Sequence, residues 1–312
     1  MNEARDTYFK LLQKKAETDN RIMFVLADCA GFVFEEFRKK YPDKIVNVGI
    51  AEQNAIAVAC GLSLAGKIPI VYGHSPFILT RTLDQIKSAI GIMNLPVSIV
   101  VNGVGFSQPW FGPTHFNMDD ISLMSSVANM KIITPSDMSL SEFAAHLTIM
   151  AESPLYLRFD GRYSANILSS VSKSDFSDGF RIIKKGTSAA VISHGNCVSR
   201  IIPLVEKIEK EKGIEIAVID VFSVPYNDGK LYEAIGDSPV LAIEEHIENG
   251  SIGQMFATYI KVNNKPNKVK LMNIDYNGRY PACVSADINW FYKSYKFTDN
   301  DIISNIKQMT ER

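Results

Sequence analysis

Only four cysteines occur in 312 residues, and Cys29, Cys60, Cys197 and Cys283 stand too far apart to form a short metal-ligand pair. A chain of this length also needs no disulfide scaffold. An excess of one charge is missing too. Lys and Arg total 33 against 34 Asp and Glu, for a formal charge of -1, which argues against nucleic acid as a partner but leaves room for a local phosphate pocket. Gly, Pro or a charged residue breaks each apolar run well before it could span a bilayer. Residues 1–21 are charged and lack the apolar centre of a signal peptide. No membrane role is expected, and a cytoplasmic enzyme or enzyme subunit fits. What remains is ordinary globular composition, 46% hydrophobic and 21% charged, over a length that divides most simply into two domains.

Short apolar runs alternate with amphipathic stretches. Residues 22–26, 45–48, 69–72, 97–101, 131–134 and 155–159 read as strands. Residues 6–16, 32–40, 53–64, 81–89, 119–128 and 139–150 read as helices, the last one capped by Ser136 or Asp137. This alternation predicts a mainly parallel sheet flanked by helices. Around 163–186 the chain turns Ser-rich and loses its apolar runs, and a second alternating unit follows. The expected organisation is α/β throughout: a first domain over 1–165, a linker over 166–186 and a second domain over 187–312.

Two loops attract attention. Residues 103–115 combine Gly, Pro, Trp and Phe after a core strand, a good place for a ligand. Asn47-Val48-Gly49-Ile50-Ala51-Glu52-Gln53-Asn54 joins a strand to a helix of small residues, where loops leaving strand ends line a crevice. Taken alone, Glu52 is equally well explained as an acid favouring a helix N-terminus.

That string is followed in order by Gly61-Leu62, Gly66, Phe77, Arg81, Asp84-Gln85, Gly112-Pro113-Thr114-His115, Pro135-Ser136-Asp137 and residues 154–158. The series resembles the pyrimidine-binding domain of the transketolase family, to which the deoxyxylulose-phosphate synthases are related, over most of 20–162. The later domain resembles the family's C-terminal domain. The resemblance implies thiamine diphosphate (ThDP) as cofactor. Glu52 would be the acid that hydrogen-bonds N1′ of the aminopyrimidine ring, a contact that needs a proton-bearing carboxyl away from water. Phe77 would pack on that ring, and Asp28 and Ile50 would complete the cofactor-binding set. His115 would face the sugar and move protons at its oxygen atoms, with His74 as a second substrate-binding histidine. Arg158 matches an Arg that receives substrate phosphate, which a guanidinium clamps through paired hydrogen bonds, and Arg81 is similar to another basic substrate-binding site at the active-site entrance. Phe111 departs from the pattern: it stands where transketolases carry an acid that recognises a donor hydroxyl, and it would make an apolar substrate wall instead.

The family's other half carries a Gly-Asp-Gly sequence and a following Asn that hold magnesium and diphosphate; here Gly236-Asp237-Ser238 is isolated. The resemblance therefore implies the small subunit of a split transketolase, transferring a two-carbon ketol unit from a ketose to an aldose. A partner subunit would hold Mg2+ and the diphosphate, in an α2β2 assembly. A deoxyxylulose-phosphate synthase-like or 2-oxoacid-decarboxylating subunit, and a noncatalytic assembly subunit, remain open. No metal ligand is expected in this chain itself.

Overall fold

A computed structural model describes residues 3–29, 32–160, 167, 170–276 and 285–311. Cys283 and the domain boundary expected at 165 lie outside the described residues.

The first unit begins with α1 (Glu3–Ala16), β1 (Ile22–Leu26), α2 (Glu35–Lys40) and β2 (Ile45–Asn47). It continues through α3 (Glu52–Leu64), β3 (Ile68–His74), α4 (Ser75–Gln85) and β4 (Ser98–Asn102). It closes with α5 (Asp120–Ser125), β5 (Lys131–Ile133), α6 (Met138–Met150) and β6 (Leu155–Phe159). β4 and β6 are buried along their whole lengths, as strands covered on both faces must be. Of the two residues open as caps for α6, Asp137 is used: its carboxylate accepts from the Leu140 amide at 3.0 Å.

The second unit holds α7 (Lys173–Asp178), β7 (Arg181–Lys184), β8 (Ala189–Ser193), α8 (Asn196–Lys212), β9 (Ile216–Asp220), β10 (Ser223–Val224) and α9 (Asp228–Ile235). β11 (Val240–Ile243), α10 (Ile252–Val262), β12 (Val269–Met272), α11 (Ile288–Ser294) and α12 (Asp299–Thr310) complete it. α7 and β7 fall inside the stretch expected as a linker. Ser172 and Asp175 cap α7 reciprocally, and β7 pairs with β9 as an antiparallel edge strand. Neither element is long enough to leave a periodic apolar trace.

Among the described residues the strands form two sheets, ordered β10-β5-β6-β4-β3-β1-β2 and β12-β11-β8-β9-β7. β10 crosses from the second unit to pair antiparallel with β5, so the later part of the chain finishes the first sheet. In that sheet β2 and β3 flank β1 as parallel neighbours. The chain therefore runs from β1 to β2 on one side and crosses back to β3 on the other, the arrangement that places a crevice at the C-terminal ends of such strands.

Aromatic packing fixes the frame around the crevice. Beneath α1, Phe9 meets Phe34 and Tyr72 edge-on, with ring centres 4.9 and 4.7 Å apart. From the loop after β4, Phe106 and Phe116 enter the core of the second unit and reach Phe291 at 5.3 and 4.9 Å. Both ends of that loop are thus anchored, while Trp110 and Phe111 between them stay exposed. No helix among the described residues is long and apolar enough to cross a membrane.

Candidate active site

Glu52 is the first residue of α3, at the C-terminal side of the first sheet. Its side chain is only 7% exposed, and Arg81 Nη1 donates to both carboxylate oxygens at 3.0 Å. Phe77 and Arg81 both lie on α4, four residues apart and therefore on one face of it. The Arg81 guanidinium carbon sits 4.4 Å from the centre of the Phe77 ring. Gln53 adds a tie between the two helices by donating to the Arg81 carbonyl at 2.9 Å.

His74 ends β3, and its ring centre lies 5.4 Å from Phe77 and 5.2 Å from His115. Gly103 makes this possible. It has a φ of +92°, and a Cβ there would fall 2.2 Å from His74 Cε1. Burial, together with the neighbouring His115, pushes the His74 imidazole down to about 4. Its Nε2 is buried without a hydrogen-bond partner among the described residues. His115 crosses Phe77 edge-on at 5.2 Å and stacks against Phe111 at 4.6 Å. Burial lowers its affinity for a proton as well, so both imidazoles are neutral at neutral pH. Thr114 Oγ1 lies 2.9 Å from His115 Nδ1, which orients the ring and leaves Nε2 for a ligand.

Of the residues singled out from the sequence, the structure joins Glu52, Phe77, Arg81, His74, His115 and Phe111 in one cluster. Asp28 and Ile50 lie on the loops leaving β1 and β2. Asn47 couples those loops: its Oδ1 accepts from the amides of Asp28 and Gly49 at 3.2 and 3.0 Å. The Ile50 side chain is left largely in solvent.

Arg158 stands apart from the cluster. It is 4% exposed, donates from Nε and Nη2 to Asp120 at 2.6 and 3.1 Å, and places Nη1 3.0 Å from His194 Nδ1. Its donors are engaged at the junction of the two units, where it lines a cavity of about 20 Å3 with Gly105, Thr134 and His194. Burial opposes the charge on Asp120, but Arg158 and His246 beside it hold its carboxyl below the usual range. Glu244 closes the same junction. It lies 3.2 Å from His194 Nε2 and accepts from the Ile252 and Gly253 amides at the head of α10. Sequence reading gave Asp120 and His194 no place in a site, and read the Glu244-Glu245-His246 string as a helix-capping or interdomain element. Asp120 and His194 have unremarkable local contexts, and only the contact between units brings them together with Glu244.

Models of the transketolase pyrimidine-binding domain and the transketolase C-terminal domain match residues 3–162 and 179–280. The chain belongs to the transketolase family. An apulose-4-phosphate transketolase subunit of Actinobacillus succinogenes is 32% identical over 241 residues, 76% of each chain. The 6-deoxy-6-sulfo-D-fructose transketolase subunit SqwH of a Clostridium species is 28% identical over 257 residues, 81% of this chain and 79% of that protein. A 1-deoxy-D-xylulose-5-phosphate synthase of Clostridium perfringens is 27% identical over 287 residues, 90% of this chain but only 45% of that longer protein. Among solved structures, a split gene transketolase described as an inactive beta4 tetramer shares the fold, with a TM-score of 0.82 and 23% identity over 98% of this chain and 97% of that one.

Within this transketolase-family fold, the two domains correspond to the two α/β units described above. The cluster offers a buried carboxylate, an aromatic face and two neutral imidazoles, with the exposed Phe111 stacked on His115. A flat heterocycle with hydrogen-bonding nitrogens matches the carboxylate and the ring face. Hydroxyl or carbonyl oxygens match the imidazoles. Among the described residues, no three His, Cys, Asp or Glu side chains converge to hold a metal ion.

Proposed function

We propose that the chain is the small subunit of a split ThDP-dependent transketolase, moving a two-carbon ketol unit from a phosphorylated ketose to an aldose. The observation that carries this reading is the Glu52–Phe77–His115 cluster, set in the domain that matches the family's pyrimidine-binding domain over residues 3–162. The residues fit the pyrimidine end of ThDP. A planar, nitrogen-bearing group, the Arg81 guanidinium, already rests against Phe77 with its donors on Glu52, so a flat ring has both a face and a partner there. When bound, ThDP supplies the electron sink that allows a carbon–carbon bond beside a carbonyl to break and re-form.

The chain's own residues serve that chemistry. Glu52 holds a proton against the ring nitrogen N1′, screened from water by its burial. Phe77 fixes the plane of the ring, and Asp28 and Ile50 border it. His115, neutral and tethered by Thr114, exchanges a proton with the substrate oxygen, and His74 beside it hydrogen-bonds the sugar. Arg81, half in solvent at the mouth, is the cation available to a substrate phosphate, whereas Arg158 holds the domain junction behind the site. Mg2+ and the diphosphate are held mainly by a partner subunit, in an assembly of two copies of each chain. The relatives named as transketolase subunits support this division of labour.

A pyruvate-type donor is the second reading, favoured by one contact. Phe111 lies flat on His115 and presents no hydrogen-bonding group to a donor hydroxyl. The test is reconstitution with the partner subunit, ThDP and Mg2+, followed by product analysis over ketose, aldose and pyruvate mixtures. Aldehyde release from a ketose is the expected outcome. Release of carbon dioxide from pyruvate selects the second reading. Activity that survives Glu52→Gln undiminished refutes both, since acid–base assistance of this kind contributes about 100- to 10,000-fold.

A further inference from the structure

The corner assigned above to the aminopyrimidine ring holds a planar group that belongs to the chain itself. The Arg81 guanidinium bonds both oxygens of Glu52 and lies over Phe77. Its backbone is fixed in α4, and Gln53 is hydrogen-bonded to its carbonyl. Its side chain, in contrast, is 49% exposed, while that of Glu52 is 7% exposed. One end of the ion pair is therefore locked in the protein, and the other can rotate into solvent without disturbing a helix.

We propose that Arg81 is a placeholder for the cofactor: in the unloaded subunit it fills the pyrimidine corner, and ThDP enters as the arginine swings out. The proposal rests on the ThDP reading above. A buried carboxylate left without a partner is costly, and Arg81 removes that cost while the site is empty. An aromatic face open to water is likewise covered. An incoming aminopyrimidine takes over both positions: as the arginine leaves, Glu52 takes up a proton from solvent and donates it in a hydrogen bond to the ring nitrogen N1′, and the ring lies flat on Phe77. One carboxyl and one ring face cannot serve both groups at once, so cofactor and arginine compete. The released guanidinium keeps its charge and regains water, so it gives up little on leaving.

The experiment is calorimetric titration of ThDP, with Mg2+ saturating, into the complex assembled with the partner subunit. Wild type is compared with Arg81→Ala, Arg81→Met, Glu52→Gln and the double variant Glu52→Gln/Arg81→Ala. Both single arginine variants should bind ThDP about three- to tenfold more tightly, because a competitor worth one ion pair and one cation–ring contact is gone. On the Glu52→Gln background, where the anchor of the arginine is already lost, Arg81→Ala should change affinity by less than about twofold. Binding by Arg81→Ala and Arg81→Met at wild-type affinity, or more weakly, overturns the placeholder and leaves the ThDP reading standing. Absence of ThDP binding in every protein, wild type included, overturns both.

Discussion

Arg181 and Asp137 meet at 2.8 Å across the boundary between the two units, both almost wholly shut off from water. Arg181 also donates to Asp220 at 3.0 Å and to Ser136 and Ser139, so one guanidinium ties the start of α6 to the end of β9. Removing it takes this guanidinium away from two buried carboxylates. Arg181→Ala should destabilise the chain by about 3–5 kcal/mol, read from chemical denaturation. Arg181→Lys should recover only part of that loss, since an ammonium cannot reproduce the fork. A loss under about 1 kcal/mol for the alanine variant would show that the bridge contributes little.

Stability should fall as the pH drops from 6.5 toward 4, and the buried imidazoles are the reason. Burial pushes His246 down to about 4, against the attraction of Asp120 and Glu244 and alongside the repulsion of Arg158. His74 is held at about 4 as well. In the unfolded chain a histidine takes up its proton near pH 6.5, so across this window the unfolded state binds more protons and gains in population. The loss approaches about 1.4 kcal/mol per pH unit for His246, and less for His74, part of whose ring meets solvent. Asp120 and Glu244 are held low and protonate further down, so the upper part of the window belongs to the imidazoles. Urea titrations at pH 7, 6 and 5 measure the slope. His246→Asn, which keeps a donor for the Ile247 carbonyl and cannot titrate, should flatten it.

The alternation of apolar runs made most of the fold legible, because buried parallel strands must be apolar on both faces. β1 and β6 have the bounds expected from the sequence. β10 was not foreseen: its two residues carry no period, and only its partner β5 gives it a role. α11 escaped for the same reason, being a short aromatic helix whose Phe291 is explained by a loop 180 residues earlier. In the site, an ordered motif series located Glu52, Phe77 and His115. It could not show that Arg81 bonds Glu52 or that Arg158 faces Asp120, because charge pairing between distant segments leaves no mark on local sequence.

Phe111 is the residue expected to decide which donor is accepted. It is 56% exposed and touches the site through its stack on His115, so it can be replaced with little effect on folding, within about 0.5 kcal/mol. Phe111→Asp supplies an acceptor beside the imidazole. In the reconstituted enzyme it should raise the ratio of kcat/KM for a hydroxylated ketose over that for pyruvate by about tenfold or more, since a hydroxyl gains a partner and an apolar group loses one. An unchanged ratio would mean that the donor does not reach this wall.

Gly103 allows a direct check on how His74 is held. Alanine there must accept a φ of +92° and put its methyl 2.2 Å from the imidazole, so either the loop or the ring has to give way. Gly103→Ala should cost about 1–3 kcal/mol of stability. Gly61→Ala is the matched control, because Gly61 lies within α3 with nothing inside 4 Å of the added methyl. That substitution should stabilise the chain by roughly 0.5–1 kcal/mol through helix propensity alone. If the methyl drives the His74 ring toward water, the burial that depresses its proton affinity is relieved, and NMR titration should show its pKa rising from about 4 toward the ordinary histidine value. A destabilised variant whose His74 still titrates near 4 would place the displacement in the loop and leave the imidazole held by its contacts with Phe77 and His115.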